Sequence, residues 1–171
     1  LKDKNIDLTI VGPEGPLADG LVDLFNEEGL RIFGPDAYGA KLESSKLFAR
    51  DVMAENGILH PDYYSCGKRE EAEALKSILQ LPLVLKVDGL ASGKGVFVCE
   101  TEDEFNRGLD IIFESSNFGK SANRISLERC LKGEELSVFA ICDGQNYKIL
   151  NSAQDHKRIF DGDKGDNTGG M

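Results

Sequence analysis

The sequence has 171 residues, 40% of them hydrophobic, which is enough apolar material for one domain core or two small ones. Its 30 acidic and 20 basic side chains give a formal net charge of −10, which argues against a general nucleic-acid binder and a membrane-surface binder, because both need basic patches. No apolar run is long enough for a membrane-spanning helix, and four widely spaced cysteines are typical of reduced thiols in an intracellular protein.

The first segment, residues 1–35, has the pattern of a parallel α/β unit. Ile6–Val11 predicts a short buried strand, Leu17–Glu28 has apolar residues at helical spacing, and Arg31–Gly34 predicts a second strand. This order predicts the end of a parallel, doubly wound domain. Ligands bind beyond the carboxyl ends of such strands, so Gly12–Gly15 is either part of a site or a simple turn.

The second segment, residues 36–122, predicts a compact α+β unit. Helices are expected over Asp36–Asn56 and Glu70–Leu79. Thr101 and Glu104 have the spacing of a capping box, which predicts a third helix after Thr101.

Within this segment, a glycine-rich loop lies between two apolar runs, Leu83–Val87 and Val96–Val98. Strand, glycine-rich loop and strand predict an exposed hairpin flap whose backbone N–H groups can close over phosphates, and Lys86 on the first strand can pair with phosphate oxygens. The glycine spacing is not that of a P-loop. Both a P-loop and a dinucleotide-binding fingerprint also require a helix afterwards, whereas the segment after this loop reads as a strand. A hairpin tip without a ligand is the alternative. The loop residues that we single out are Gly89, Gly93, Lys94 and Gly95.

The third segment, residues 123–171, predicts strands over Ile125–Leu127, Leu136–Cys142 and Lys148–Ala153. The link over residues 128–135 could offer backbone groups to an adenine edge and a carboxylate to ribose hydroxyls, although its composition alone favours a solvated acidic turn. The polar tail from Gln154 onwards suits an anionic substrate, or is a plain charged turn. Two histidines and the lack of a C-x-x-C pair do not favour a zinc site.

These motifs, taken together, resemble the phosphoribosylamine–glycine ligase (glycinamide ribonucleotide synthetase) family of the ATP-grasp superfamily. The stretches that carry the resemblance, in chain order, are VGPEGPL, FGP, LESSKLFA, LVLKVDGLASGKGV, ERCLKGEELS, QDHKR and NTGGM. The resemblance covers nearly the whole chain but only the middle of the family's enzyme. The chain begins without Met and stops within loop residues, and we therefore expect an internal fragment.

The fold that the resemblance implies has three parts, with mixed α/β and α+β character. Residues 1–35 would be the C-terminal part of the substrate-binding α/β domain. Residues 36–122 would form the first ATP-grasp subdomain with its flap, and residues 123–171 the start of the second, truncated subdomain.

The resemblance also assigns roles to residues. Lys46 and Lys86 match lysines that hold the ATP phosphates, and Gly89 to Val96 match the flap. Glu128, Cys130 and Leu131 match the adenine hinge, the latter two through backbone groups, and Glu135 matches the carboxylate on the ATP ribose. Glu14 lies where related enzymes contact the ribosyl substrate. The polar residues at the junction of substrate and γ-phosphate, with catalytic roles for the first two, match Asp155, Lys157, Asn167 and Thr168.

The implied reaction is ATP-dependent ligation of glycine to 5-phosphoribosylamine through glycyl phosphate, in purine biosynthesis in the cytoplasm. The small-molecule partners would be ATP, glycine and 5-phosphoribosylamine, with no nucleic acid and no membrane. Mg²⁺ is implied as a cofactor, with its ligands expected outside these 171 residues. The isolated chain is therefore expected not to catalyse the ligation. The alternatives are another ATP-grasp carboxylate–amine ligase or carboxylase, and a non-catalytic nucleotide-binding fragment.

Overall fold

The computed structural model describes residues 4–91, 94–114, 118–119, 123–154, 158–162 and 164–167, the last range and residue 158 by their backbone. It divides into two units, Leu1–Cys130 and Leu131–Met171. None of the helices in these described ranges has the length and apolar character needed to span a membrane.

The first unit contains six helices and six strands among its described residues. In chain order they are β1 Thr9–Ile10, α1 Glu14–Ala18, α2 Leu21–Glu27, β2 Ile32–Phe33, α3 Lys41–Ser44, α4 Lys46–Glu55, β3 Tyr63–Cys66, α5 Arg69–Leu79, β4 Leu83–Val87, β5 Val96–Cys99, α6 Glu102–Leu109 with a π-helical turn over Asp110–Glu114, and β6 Ile125–Arg129.

The two N-terminal strands, β1 and β2, pair in parallel, as the β–α–β order predicts. The single helix predicted over Leu17–Glu28 is wrong, because Gly20 adopts a left-handed φ of 84° that separates α1 from α2. The prediction that Ile6–Val11 is a buried strand is also wrong, because Ile10 is 69% exposed. Among the described residues β1 pairs with β2 alone.

A four-stranded antiparallel sheet in the order β3-β6-β4-β5 forms the centre of the first unit. The β4–β5 hairpin has the predicted strands, with Lys86 opposite Val96. β3 has no counterpart in the sequence analysis. β6, which the sequence analysis assigned to the third segment, pairs with β3 and β4 and so lies in the same sheet as the flap. The segment boundaries at 35/36 and 122/123 stay predictions.

The sheet has a dry face and a polar face, because side chains alternate along each strand. On the dry face Leu83, Leu85 and Val87 of β4 are buried with Phe105 and Leu109 of α6. Helix α5 also packs into this core. The core includes Cys66 of β3 and Cys99 of β5, and burial raises the pKa of each thiol to about 11. On the other face Lys86 lies opposite Ser126, and helix α4 contacts β6.

Helix α4 begins afresh at Lys46, so the prediction of one helix over Asp36–Asn56 is wrong. Ser45 is extended, with φ −134° and ψ 112°, and its side chain accepts a hydrogen bond from Phe48 N. A serine in this conformation is a typical N-cap, and it separates α3 from α4. The break places Lys46 in the first turn of a helix.

The capping box at the start of α6 is confirmed. Thr101 Oγ1 accepts from Glu104 N, and Glu104 Oε2 accepts from Thr101 N at 3.0 Å. We expect Thr101→Ala to lower the free energy of unfolding by about 1 kcal/mol, because it removes an N-cap acceptor. Urea unfolding followed by circular dichroism measures the change. Thr101→Ser keeps the hydroxyl and is expected to restore most of the loss, so equal losses in both variants would contradict a capping role.

The second unit contains two antiparallel strand pairs among its described residues. β7 Ala140–Cys142 pairs with β8 Tyr147–Ile149, and a bridge joins Ser137 to Ala153. The strands predicted over Leu136–Cys142 and Lys148–Ala153 thus form a hairpin, with shorter regular strands than predicted. β9 Arg158–Phe160 pairs with β10 Lys164–Asn167.

Candidate functional site

Lys86 and Glu128 meet on the polar face of the sheet. Lys86 is the fourth residue of β4, and its neighbours in β4 point into the core, so its ammonium projects to the side that α4 covers. Lys86 Nζ lies 2.8 Å from Glu128 Oε2. The same oxygen accepts from Arg50 Nη2 at 2.8 Å, while Oε1 accepts from Arg50 Nε at 3.2 Å and Ser126 Oγ at 2.9 Å.

Glu128 is an ionised carboxylate inside the protein, with a side chain only 2% exposed. Burial acts to raise its pKa, but the hydrogen bonds from Arg50 and Lys86 outweigh burial and hold the pKa below the ordinary 4.5. Four donors fill the acceptor positions of its two oxygens. The carboxylate is therefore a fixed anchor for the cations around it.

Lys46 lies in the first turn of α4, at the base of the flap. Its Nζ donates to Gly89 O at 2.9 Å. Burial lowers the pKa of Lys46, the Lys86 ammonium lowers it further, and nearby carboxylates, with Glu43 and Asp88 the strongest, oppose this.

Asp88 fixes the start of α4 to the end of β4. Its Oδ1 accepts from Ser45 Oγ at 2.9 Å and from Leu47 N at 3.2 Å. The residues that bracket Lys46 in sequence are thus tied to the residue that precedes the flap. This contact brings two lysines that are 40 positions apart in the chain to one place.

The flap is packed against the sheet at its second end. Val87 N donates to Gly95 O at 2.9 Å, and Lys94 N donates to Ala91 O at 2.8 Å. A Cβ on Gly95 would lie 2.1 Å from Val87 Cγ2 and 2.8 Å from Ala91 Cβ, so a side chain does not fit there. The flap was expected to be exposed throughout, and this is wrong at Gly95, which is buried.

This cluster, comprising Lys46, Lys86, Arg50, Asp88 and Glu128, has three cationic and two anionic side chains. Glu43, whose carboxylate also acts on Lys46, brings a third anion near this cluster, which lies beside a glycine-rich loop. Such a site can hold a phosphate group, because ammonium groups and loop N–H groups both donate to phosphate oxygens.

The structure brings together Lys46, Lys86, Gly89 and Glu128, all predicted as nucleotide-site residues. Cys130 follows β6, and its N–H donates to Pro82 O at 3.3 Å, so this N–H is already used within the first unit. Glu14 is exposed and begins α1. Lys94 and Val96 are exposed at the second end of the flap.

The remaining predicted residues lie elsewhere. In the second unit Leu131 and Glu135 are exposed, and Asn167 ends β10. Outside the described residues lie Gly93, Asp155, Lys157 and Thr168.

Sequence reasoning missed Arg50, Ser126 and Asp88. Arg50 lies one helical turn after Lys46, and this i, i+4 spacing was the signal that could have placed both on one helix face. Ser126 and Glu128 are two apart in a strand, which puts them on one face of the sheet. The pairing of β4 with β6 could not be read from spacing.

The pKa of Glu128 predicts a pH dependence of stability. A carboxylate whose folded pKa is depressed contributes stability above its unfolded pKa and loses it as pH falls through the folded value. We expect the free energy of unfolding to fall with pH below about 4.5, and to fall less steeply in Glu128→Gln, which cannot titrate. Urea unfolding from pH 7 to pH 3 measures this, with exposed Glu27→Gln as the control. Parallel profiles for Glu128→Gln and the unaltered protein would contradict the assignment.

Comparison with known proteins gives two adjoining family matches. Residues 1–43 match the phosphoribosylglycinamide synthetase N domain, and residues 44–171 match the phosphoribosylglycinamide synthetase ATP-grasp (A) domain. The chain is 45% identical over 168 residues to phosphoribosylamine–glycine ligase of Ralstonia nicotianae, covering 98% of this chain and 40% of that protein. The corresponding ligase of Chlorobaculum tepidum is 46% identical over 169 residues, with the same coverage.

A solved structure agrees with these matches. The phosphoribosylamine–glycine ligase of Thermotoga maritima superposes with a TM-score of 0.80 at 32% identity, covering 98% of this chain and 41% of that one. The chain thus spans about 40% of the length of the relatives it matches.

Proposed function

The chain belongs to the phosphoribosylglycinamide synthetase family, and from this premise we propose that it supplies the phosphate-binding part of the ATP site in an ATP-dependent ligase. The ligase joins glycine to 5-phosphoribosylamine in purine biosynthesis and gives glycinamide ribonucleotide, ADP and phosphate. We propose the cytoplasm as its location.

One observation carries this proposal: Lys46 and Lys86 converge beside the flap. Lys46 lies against Gly89, the first glycine of the flap, and Lys86 lies opposite Val96, at its second end. The Lys46 ammonium thus lies at the first end of the flap, and Lys86, whose ammonium contacts Glu128 of β6, lies on the strand that leads into the flap. A triphosphate under the loop would accept hydrogen bonds from both lysines and from loop N–H groups.

Other residues keep the roles that the family resemblance gives them, as part of the proposal. Cys130 and Leu131 would contact adenine through backbone groups, and Glu135 would bind the ribose hydroxyls. Glu14 would contact the ribosyl substrate. The junction of substrate and γ-phosphate would be formed by Asp155, Lys157, Asn167 and Thr168.

In the proposed reaction, a glycine carboxylate oxygen attacks the γ-phosphorus and displaces ADP, giving glycyl phosphate. The amine of phosphoribosylamine then attacks the glycyl carbonyl and displaces phosphate, losing a proton. Lys46 and Lys86 offset the charge on the phosphates, and the closed flap excludes water that would hydrolyse the acyl phosphate. No side chain needs to act as a nucleophile.

Mg²⁺ is implied by the family, and when bound with ATP it supplies positive charge to the phosphates. Among the described residues, no group of three His, Cys, Asp or Glu could hold a metal ion. The contribution that we propose for this part of the chain is the lysine pair and the flap.

The test is ADP release by the natural full-length protein with Mg²⁺ and ATP, measured with and without glycine and 5-phosphoribosylamine. Release that requires both substrates supports the proposal. Release that requires a different acid or amine would identify another ATP-grasp ligase. ATP binding without turnover under every substrate condition would identify a nucleotide-binding module.

A further inference from the structure

We propose that Arg50 is a positioning residue for ATP binding: through Glu128, it keeps the Lys86 ammonium in place and available to phosphate. This inference rests on the proposed function of Lys86. It concerns a residue that does not itself need to touch the nucleotide, since its guanidinium is directed at Glu128.

The Glu128 carboxylate accepts hydrogen bonds from both Arg50 and Lys86. Oε2 accepts from both Arg50 Nη2 and Lys86 Nζ at 2.8 Å, so the two cations share a single oxygen. Oε1 accepts from Arg50 Nε and Ser126 Oγ. Arg50 therefore grips both oxygens with one planar group, and this fixes the plane of the carboxylate.

Arg50 also changes the balance of charge around Glu128 and Lys86. Without Arg50, one buried carboxylate would face one ammonium, and Glu128 would neutralise the charge that Lys86 offers to a phosphate. With Arg50, two cations share one anion and the trio keeps an excess positive charge. Arg50 thus allows Glu128 to hold Lys86 without competing with the ligand for its charge.

Helix α4 carries both Lys46 and Arg50. Arg50 lies four residues after Lys46, so both project from one face of the helix towards the sheet. Lys46 reaches the flap and Arg50 reaches β6. The Arg50 side chain is 17% exposed, comparable with 22% for Lys86, and its Nη1 contacts Met53 Sδ at 3.3 Å. This is a fixed position rather than a surface pairing.

The experiment is calorimetric titration of the natural full-length protein with ATP, with melting temperature measured in parallel. We expect Arg50→Met to weaken ATP binding about tenfold, the loss typical of one charged hydrogen bond, with Lys86 still present. Arg50→Lys keeps the charge but loses the grip on both oxygens, so it is expected to weaken ATP binding by only about threefold. Arg107→Met removes an exposed arginine from α6 and serves as the matched control.

A double variant separates positioning from packing. If Arg50 acts through Glu128, the effect of Arg50→Met on ATP affinity is much smaller in a Glu128→Gln background, because no carboxylate remains to neutralise Lys86. An equal effect in both backgrounds would overturn the proposal. Unchanged ATP affinity with a lowered melting temperature in Arg50→Met would also overturn it and leave a structural role.

The outcomes distinguish this inference from the proposed function. Normal ATP binding by Arg50→Met, together with weak binding by Lys86→Ala, overturns the Arg50 role and leaves the ATP site intact. No ATP binding by the unaltered protein overturns both. If Arg50→Met does not fold, Arg50→Lys and Glu128→Gln decide, since a Lys variant that folds but binds ATP as weakly as Lys86→Ala contradicts a charge-balancing role.

Discussion

Lys86→Ala is expected to raise the Kd for ATP about tenfold to 100-fold. A hydrogen bond to a charged group contributes about 1.5–3 kcal/mol, and each 1.4 kcal/mol corresponds to a factor of ten in Kd. The fold is expected to survive, because Glu128 keeps Arg50 and Ser126 as partners when Lys86 is removed. Calorimetric titration of the full-length protein with ATP measures the effect.

Lys76→Ala is a closely matched control for this variant. Lys76 also forms an ion pair with a glutamate, Glu102, and its side chain is 24% exposed against 22% for Lys86. It lies on α5, however, which packs on the dry face of the sheet. Equal ATP affinities for Lys86→Ala and Lys76→Ala would remove Lys86 from the nucleotide site.

The elements that the sequence predicted well are those determined by local chemistry. The strand Leu83–Val87 alternates between core and polar face over its whole length, and its bounds match the prediction. The capping box of Thr101 and Glu104 also depends on a few adjacent residues. Such signals need no knowledge of what packs against them.

The predictions that failed are those in which contact with a residue distant in the sequence determines the local structure. The strand Tyr63–Cys66 is short, and its two exposed middle residues give little apolar alternation; it is a strand because β6 pairs with it. The helix predicted over Asp36–Asn56 is interrupted at Ser45, whose hydroxyl donates to Asp88, 43 residues further along. Local periodicity does not contain that contact.

The candidate site shows the same division. The resemblance picked out Lys46, Lys86 and Glu128 one by one, and its assignment of Glu128 to the adenine hinge stays a prediction. In the structure its side chain is the buried counter-ion of Lys86. The role of a buried carboxylate depends on which cations surround it, and here Arg50, from another element, completes the set.

Gly95→Ala is expected to lower the free energy of unfolding by about 1–3 kcal/mol, the usual effect of forcing extra volume into a packed site. The new Cβ would lie 2.1 Å from Val87 Cγ2, and Val87 is a fully buried core residue of β4 that cannot easily move aside. Urea unfolding followed by circular dichroism measures the loss. Gly15→Ala is the control, because no atom lies within 4 Å of its added Cβ.

Shortening the obstructing side chain tests the cause. Val87→Ala removes Cγ2, the atom nearest to the new methyl group, so Gly95→Ala should destabilise the protein less in a Val87→Ala background than in the unaltered chain. The contact with Ala91 Cβ at 2.8 Å remains, so the rescue should be incomplete. Equal losses in the two backgrounds would mean that Gly95 is required for another reason, such as an opening of the flap that needs glycine. Steric exclusion at Gly95 would mean that packing against Val87 of β4 holds the second end of the flap to the core.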